Sequence, residues 1–247
     1  MNGLITRSMR MVGLALCIVL VTTRTLPPHP HETLTIHHAP GTRGLRAIWL
    51  CEELGVPYRV EPVDFSGAYR ATPEWRRMNP VGKVPVMSQG AFKMFESGAM
   101  IQHLLEVYDE DHKLQPRRGT EEHGHFLQWC WFAEATFCRA TGELANHRRE
   151  FAKSGLLEPV MEEMRERARA CMRALDDALA DGRPYLMGDG FTAADVMMGY
   201  AFISFERNVG VETLPFNAEQ YWQRLKARPG YLRAFEANLC KAVEKQR

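Results

Sequence analysis

The strongest indication of the fold is the segment NPVGKVPV at residues 79–86, which is followed shortly by Glu96 and Ser97. Pro85 precedes a short apolar run, and a proline cannot donate to a strand ladder, so it belongs at the first residue or the edge of a strand. Its bond to Val84 is a candidate for the cis form, since cis bonds are almost confined to proline in tight turns. A cis bond would turn the N–H and C=O of Val84 outward, where they could pair with an extended peptide.

The residues after Glu96 predict a helix whose start can bind an anion. Apolar side chains recur there at helical spacing, and Ser97 is predicted to be the N-cap. The free N–H groups and partial positive charge of a helix start favour a carboxylate, and Glu96 beside them can bind an ammonium group. Together these groups could bind the head of an α-amino acid.

These segments resemble the glutathione site of the cytosolic glutathione transferase family. The family pattern NPxGKVPxL corresponds to NPVGKVPVM here, and the helix start ES.AI corresponds to ESGAMI. Upstream, TRGLRAIWLCEELGVPY at residues 42–58 is similar to the family's first helix, and YLMGDGFTAAD at residues 185–195 is similar to its YL.G..FT.AD motif. Four motifs in the family's order make the resemblance specific, and it covers roughly residues 33–245.

The order of predicted elements indicates an α/β domain followed by an all-α domain. Strands are predicted at residues 34–37, 58–63, 84–87 and 92–95, and helices at residues 43–54, 72–78 and 97–108. The order βαβ then ββα is that of a thioredoxin-like domain, and the charged segment 109–119 with its proline predicts a linker. We therefore predict a leader or over-extended N-terminus at residues 1–32, a thioredoxin-like glutathione-binding domain at 33–110 and an all-helical C-terminal domain at 120–247.

Composition agrees with a globular protein and excludes some classes. The 247 residues are 45% hydrophobic and 25% charged, which is ordinary for one to two domains with a sizeable core. With a net charge of +1, a surface for binding nucleic acid is not expected. The cysteines are scattered without metal-ligand or C-x-x-C spacing, so we predict reduced, mostly buried thiols and no metal site. They are Cys17, Cys51, Cys130, Cys138, Cys171 and Cys240.

The N-terminal residues leave three interpretations open. The apolar run at 11–21 follows Arg7 and Arg10, resembles the core of a signal peptide, and is shorter than a typical membrane span of about 20 residues. The following VTTR at 21–24 lacks an A-x-A-like cleavage site. An over-extended start, an export signal and a weak anchor are all consistent with this pattern. We expect a cytoplasmic protein without a stable membrane span; the alternative is export, if residues 1–25 act as a signal peptide.

The chemistry depends on how a glutathione thiol would be ionised. Lowering a thiol pKa from about 8.5 to about 6.5 requires roughly 2.7 kcal/mol. A hydrogen bond to a charged acceptor supplies about 1.5–3 kcal/mol and a helix N-terminus about 0.3–1 kcal/mol, so one hydroxyl at a helix start is enough. Thr42 stands there in GTRGLR, residues 41–46, where many bacterial relatives have a serine in NSRSQR. Thr42 is the predicted thiolate donor, with a plain helix N-cap as the alternative; Arg43 would assist the thiolate or complete a surface ion pair. We interpret the preceding His37 and His38 as structural or solvent-facing.

The resemblance also implies how the rest of glutathione would be held. Lys83 would bind the glycyl carboxylate, Val84 the cysteinyl backbone, and Glu96 with Ser97 the γ-glutamyl head, while Pro85 shapes the turn. The alternatives are an exposed turn lysine at Lys83 and a simple cap at Ser97. We interpret Arg46 and Asn79 as packing and turn residues.

Three functions follow from this pattern. The leading hypothesis is an enzyme, a glutathione transferase that uses glutathione as co-substrate and attacks a small hydrophobic electrophile. The second is a non-catalytic binding or regulatory module of the same fold. The third is a glutathione-dependent dehalogenase, isomerase or ether-cleaving enzyme, which shares the thiolate and differs in substrate. The resemblance implies a homodimer, which would cover the helix at 97–108 and the early aromatic residues of the helical domain.

Overall fold

The computed structural model describes residues 32–151, 158–210 and 214–239. The predictions for residues 1–31, Cys17 and Cys240 lie outside these ranges. Within them, no helix is both long enough and apolar enough to cross a membrane.

Four strands form one mixed sheet in the order β2-β1-β3-β4. They are β1 (Leu34–His38), β2 (Tyr58–Pro62), β3 (Val86–Gln89) and β4 (Phe92–Phe95). β1 runs parallel to β2, which requires a helical crossover between them, and antiparallel to β3, while β3 and β4 form a hairpin. Strand alternation directs Leu34, Ile36 and His38 to the buried side of β1. An imidazole is therefore placed in the interior at the end of the strand.

Four helices complete the first domain. They are α1 (Gly44–Leu54), α2 (Gly67–Arg70), α3 (Pro73–Met78) and α4 (Ser97–Tyr108). α1 ends at Gly55, whose φ of 67° is the left-handed conformation that glycine adopts without strain. The helix packs on α4 and also on the second domain, so its N-terminus is held between the two.

The second domain is helical throughout its described elements. It consists of α5 (Glu121–Trp131), a π-helical segment (Phe132–Phe137), α6 (Cys138–Phe151), α7 (Glu158–Ala178), α8 (Ala193–Asn208), α9 (Phe216–Lys226) and α10 (Pro229–Asn238). α8 is the central helix, and the buried Asp195 carboxylate accepts hydrogen bonds from the Thr192 and Leu186 N–H groups at 2.8 and 3.0 Å. A side chain at Gly199 would come within 2.5 Å of the Trp49 ring, so this glycine allows α8 to approach α1.

The predicted fold class is confirmed, with a thioredoxin-like domain preceding a helical one. Some boundaries were wrong: β3 begins at Val86 rather than at residue 84, and α2 was not expected. The prediction of Ser97 as N-cap was also wrong. Glu96 occupies that position, and the Ser97 hydroxyl accepts a hydrogen bond from the Arg46 side chain. The domain limits at 110 and 120 stay predictions; α4 ends at Tyr108 and α5 begins at Glu121.

The described cysteines are free and buried, as predicted. They are Cys51, Cys130, Cys138 and Cys171. Burial raises the pKa of the Cys130 thiol to about 12. These thiols are therefore protonated, apolar packing groups rather than nucleophiles.

Candidate functional site

One cleft of about 480 Å³ between the two domains is lined by all seven predicted site residues. These are Thr42, Arg43, Lys83, Val84, Pro85, Glu96 and Ser97. The bond between Val84 and Pro85 is cis, as predicted. The opposite wall is formed by α6 and α8. Residues chosen from three separate motifs therefore converge on one site.

Asn79 fixes the turn that carries Lys83 and Val84 into the cleft. Its side-chain amide donates to the Lys83 carbonyl at 3.0 Å, and its side-chain oxygen accepts from the Val81 N–H at 3.0 Å. Asn79 is buried, which agrees with its interpretation as a turn residue. The Lys83 side chain is exposed at the edge of the cleft, and among the described residues it forms no ion pair.

Ser97 is oriented by a buried arginine. The Arg46 guanidinium is fully buried, and its Nη1 donates to the Ser97 Oγ at 3.2 Å. Because this bond uses the serine as an acceptor, the Ser97 proton is left to donate elsewhere. Arg46 also places a permanent positive charge beside the first residue of α4, which reinforces the anion preference of that helix start. The sequence interpretation of Arg46 as a packing residue missed this role.

Glu134 joins the two domains at the floor of the site. Its carboxylate forms ion pairs with Arg46 and with Arg43, the latter at 3.0 Å. Burial opposes ionisation of this group, but the charges of Arg46 and Arg43 outweigh it and lower the pKa of Glu134. Glu134 lies in the π-helical segment, and such segments are frequent at functional sites. Arg43 thus forms an ion pair, one of its two interpretations, while its assistance to a thiolate stays a prediction.

The Thr42 hydroxyl is directed toward the protein interior. Its Oγ1 lies 2.8 Å from the Ala39 carbonyl oxygen and 3.1 Å from His38 Nδ1. A hydroxyl has one proton, so it donates to one of these acceptors at a time. Thr42 is not the helix N-cap, since Arg43 occupies that position.

The neighbouring contacts fix the tautomer of His38. Asn238 Oδ1 accepts from the Gly41 N–H at 3.2 Å and lies 2.9 Å from His38 Nε2. Because the Gly41 N–H can only donate, Oδ1 is the acceptor, and His38 Nε2 must therefore carry a proton. Burial lowers the pKa of His38 to about 4, so the ring is neutral at pH 7 and its Nδ1 is an acceptor that faces the Thr42 hydroxyl. A side chain at Gly44 would come within 2.2 Å of Nδ1, so this position requires glycine.

Two residues of the helical domain hold the loop that precedes Thr42. Asn238, on α10, accepts from the Gly41 N–H, and Arg207, on α8, donates to the Gly41 carbonyl oxygen at 2.8 Å. Both sides of this peptide unit are therefore fixed by the second domain. Sequence reasoning missed these residues, because neither belongs to a motif with diagnostic spacing.

Comparison with known proteins agrees with this architecture. Residues 32–106 match the family "Glutathione S-transferase, N-terminal domain", and residues 158–237 match "Glutathione S-transferase, C-terminal domain". The chain is 24% identical over 206 residues to Glutathione S-transferase 3 of Schizosaccharomyces pombe, which covers 78% of this chain and 82% of that protein. It is 28% identical over 172 residues to Elongation factor 1-gamma 1 of Oryza sativa subsp. japonica, covering 67% of this chain and 38% of that protein.

A solved structure shows the same fold. The glutathione transferase URE2P6 from Phanerochaete chrysosporium, in complex with oxidized glutathione, superposes with a TM-score of 0.75 at 23% identity, covering 84% of this chain and 97% of that one. The sheet, the cleft and the helical domain define a two-domain protein of the thioredoxin-like class. With both domain families matched in order, the chain belongs to the glutathione transferase family, whose co-substrate is glutathione.

Proposed function

We propose that this protein is a glutathione transferase that binds glutathione in the interdomain cleft and joins it through its sulfur to a small hydrophobic electrophile. The observation that supports this most strongly is the convergence of the seven motif residues on that cleft. Its lining includes the Glu96 carboxylate, the Ser97 hydroxyl and the Lys83 ammonium, which complement the charges of a γ-glutamyl tripeptide.

The head and tail of glutathione would be held by opposite charges. Glu96 binds the γ-glutamyl ammonium. The Ser97 oxygen already accepts a hydrogen bond from Arg46, so the Ser97 proton is available to donate to the neighbouring carboxylate. Lys83 binds the glycyl carboxylate, and the main chain of Val84 pairs with the cysteinyl residue. Each of these is a charge-assisted or main-chain hydrogen bond, which makes the tripeptide's binding stronger than neutral contacts would.

The thiol would lie at the start of α1, beside Thr42 and Arg43. There the Thr42 hydroxyl donates to the sulfur, and the helix N-terminus and the Arg43 charge add positive potential. Ionisation releases the thiol proton to water. The thiolate then attacks the electrophilic carbon, a C–S bond forms, and the leaving group departs with its electron pair.

A non-catalytic binding module is the second candidate, and one observation favours it. The Thr42 hydroxyl has two interior acceptors, the Ala39 carbonyl oxygen and His38 Nδ1, which compete with a thiolate for its one proton. The chain is also similar to a protein named Elongation factor 1-gamma 1, a name that does not denote a transferase. A glutathione-dependent dehalogenase, isomerase or ether-cleaving enzyme would share the site and differ in substrate.

Retention on glutathione-agarose, thiolate absorbance of the bound complex against pH, and conjugation of a generic aryl halide together test these functions. Retention, a bound thiol pKa well below about 8.5 and conjugation are expected for the transferase. Retention with an unshifted thiol pKa and no conjugation identifies the binding module. Failure to bind glutathione contradicts both.

We further propose a cytoplasmic homodimer. Glutathione and reduced thiols are typical of the cytoplasm, and the described cysteines are free. On the face formed by α4 and α5, Trp131 is 57% exposed, a large apolar side chain that a partner subunit would cover.

A further inference from the structure

The helical wall of the cleft is polar at the place where a hydrophobic electrophile would need apolar side chains. From α8, Tyr200, Ser204 and Asn208 line the cleft at spacings of four, so they share one face of the helix. Ser204 Oγ lies 2.7 Å from the Thr141 hydroxyl, and the Asn208 amide donates to the Ser204 carbonyl at 2.9 Å. Hydroxyl and amide groups are therefore fixed along this wall by their own hydrogen bonds.

Two smaller cavities with more apolar linings adjoin the cleft. One, of about 220 Å³, includes Leu45, Ile203 and Phe235 and shares Gly41, Tyr200 and Arg207 with the cleft. The other is lined from α4, α5 and α8. It has a volume of about 180 Å³ and is lined by Ile101, Trp131 and Met197, among others. It shares only Glu96 and Glu134 with the cleft. The apolar surface nearest the loop at Thr42 therefore lies in the cavity that shares Arg207 with the cleft.

Arg207 is a cation of this polar wall that contacts the loop preceding Thr42. Its Nη1 donates to the carbonyl of Gly41, the residue next to Thr42, and a side chain at Gly41 would come within 2.5 Å of Nη2. The side chain is exposed, and no carboxylate among the described residues pairs with it. Arg43, by contrast, shares the Glu134 carboxylate with Arg46. One of the five N–H groups of the Arg207 guanidinium binds the Gly41 loop, and those that remain can donate to both oxygens of a carboxylate.

We propose that the second substrate is an electrophile bearing a carboxylate, which Arg207 binds beside the reacting carbon. This inference rests on the proposed function, and it replaces the expectation of a purely hydrophobic electrophile with an anionic one. In the reaction the thiolate forms the C–S bond, the leaving group takes its electron pair, and the carboxylate stays unchanged on Arg207. The half-exposed Phe65, which also lines the cleft, supplies an apolar surface for the remainder of such a molecule.

A matched pair of substrates tests the proposal: a chlorodinitrobenzoate and its methyl ester. Each enzymatic kcat/KM is divided by the rate constant of the uncatalysed reaction with glutathione, which removes the difference in intrinsic reactivity. The wild-type protein should favour the acid. Arg207→Gln should lower the acid-to-ester ratio about tenfold, or ~1.4 kcal/mol, and Arg207→Lys should retain part of it. Added salt should reduce the wild-type ratio.

The ratio separates a specificity role from a structural one. If Arg207 only supports the loop at Gly41, Arg207→Gln lowers both rates together and leaves the ratio unchanged. Arg139→Gln, an exposed arginine of α6 that does not line the cleft, is the matched control and should leave the ratio at its wild-type value. A wild-type preference for the ester, or an unchanged ratio in Arg207→Gln, overturns the proposal.

Binding of the two reaction products distinguishes failure of this inference from failure of the proposed function. Calorimetry with the S-aryl glutathione acid and its methyl ester requires no turnover. Tighter binding of the acid that is lost in Arg207→Gln supports the anionic site even if neither electrophile is conjugated. Equal binding of acid and ester overturns it, even if both are conjugated.

Discussion

Replacing Thr42 with alanine should raise the pKa of the bound glutathione thiol by about one unit. A hydroxyl that turns to a thiolate gains about 1.5–3 kcal/mol, but it gives up a neutral hydrogen bond worth about 0.5–1.5 kcal/mol. That lost bond is the one to Ala39 at 2.8 Å or to His38 at 3.1 Å. The difference of the mid-values is ~1.2 kcal/mol, which corresponds to ~0.9 pKa units. The sequence alone does not show the competing acceptors, so it would predict the loss of the full charged hydrogen bond, about 1.5–3 kcal/mol.

Thiolate absorbance of bound glutathione against pH measures this shift directly. With a thiol pKa near 6.5, the substitution should lower the conjugation rate at pH 7 about threefold, and the rate should recover above pH 8.5. Glutathione affinity should stay within about threefold, because the ends of the peptide are held elsewhere. Thr42→Ser should keep the activity, since it retains the donor and relaxes the χ1 restriction. Thr120→Ala, which removes the N-cap of α5, is a threonine control outside the cleft.

Two results would refute this reasoning. An unchanged thiol pKa in Thr42→Ala would show that Thr42 only shapes the loop, and Arg43 or a main-chain N–H would then be the partner of the thiolate. A rise of two units or more would show that the interior acceptors do not compete for the Thr42 proton.

Three further predictions concern affinity, pH and assembly. Glu96→Gln should weaken glutathione binding by at least ~1.5 kcal/mol because it removes the charge that pairs with the ammonium; unchanged affinity by calorimetry would exclude Glu96 from the site. His38 has a native pKa of about 4 and an ordinary value of 6.5, so the unfolded chain gains a proton first as the pH falls. Stability should therefore be lost below pH 6.5 and down to about 4, by roughly 2 kcal/mol between pH 7 and pH 5, and urea unfolding of His38→Gln should lack this loss. Trp131→Glu should convert the proposed dimer to a monomer in light scattering at micromolar concentration, and a wild-type monomer would contradict the dimer.

The motifs of the first domain predicted the lining of the cleft because they are local. The turn at 79–86 and the helix start at Glu96 each place a ligand group by backbone geometry within a few residues. The errors lie where a distant partner decides a side chain's role. Ser97 is the first residue of α4 rather than its N-cap, and its hydroxyl accepts a hydrogen bond from Arg46, 51 positions away in the sequence.

The helical domain's contribution could not be predicted in the same way. Arg46 is linked to Glu134 across 88 positions, and Gly41 to Asn238 across 197. Helical periodicity identifies the buried face of such segments, but not which residue of another domain will meet it. One signal was present: Arg46 is the only charged residue among the buried residues of α1, and an arginine in that position needs a partner.

The contact between His38 and Asn238 determines how early in synthesis the site can form. The two residues are 200 positions apart, so at a ribosomal rate of about 5–20 residues per second the partner emerges roughly 10–40 s after the histidine. Until then the strands and α1 can assemble and Arg207 of α8 can bind the Gly41 carbonyl oxygen, but the histidine tautomer and the Gly41 N–H have no anchor. A nascent chain can therefore acquire the sheet early, whereas the loop that faces the thiol becomes competent only once α10 has docked.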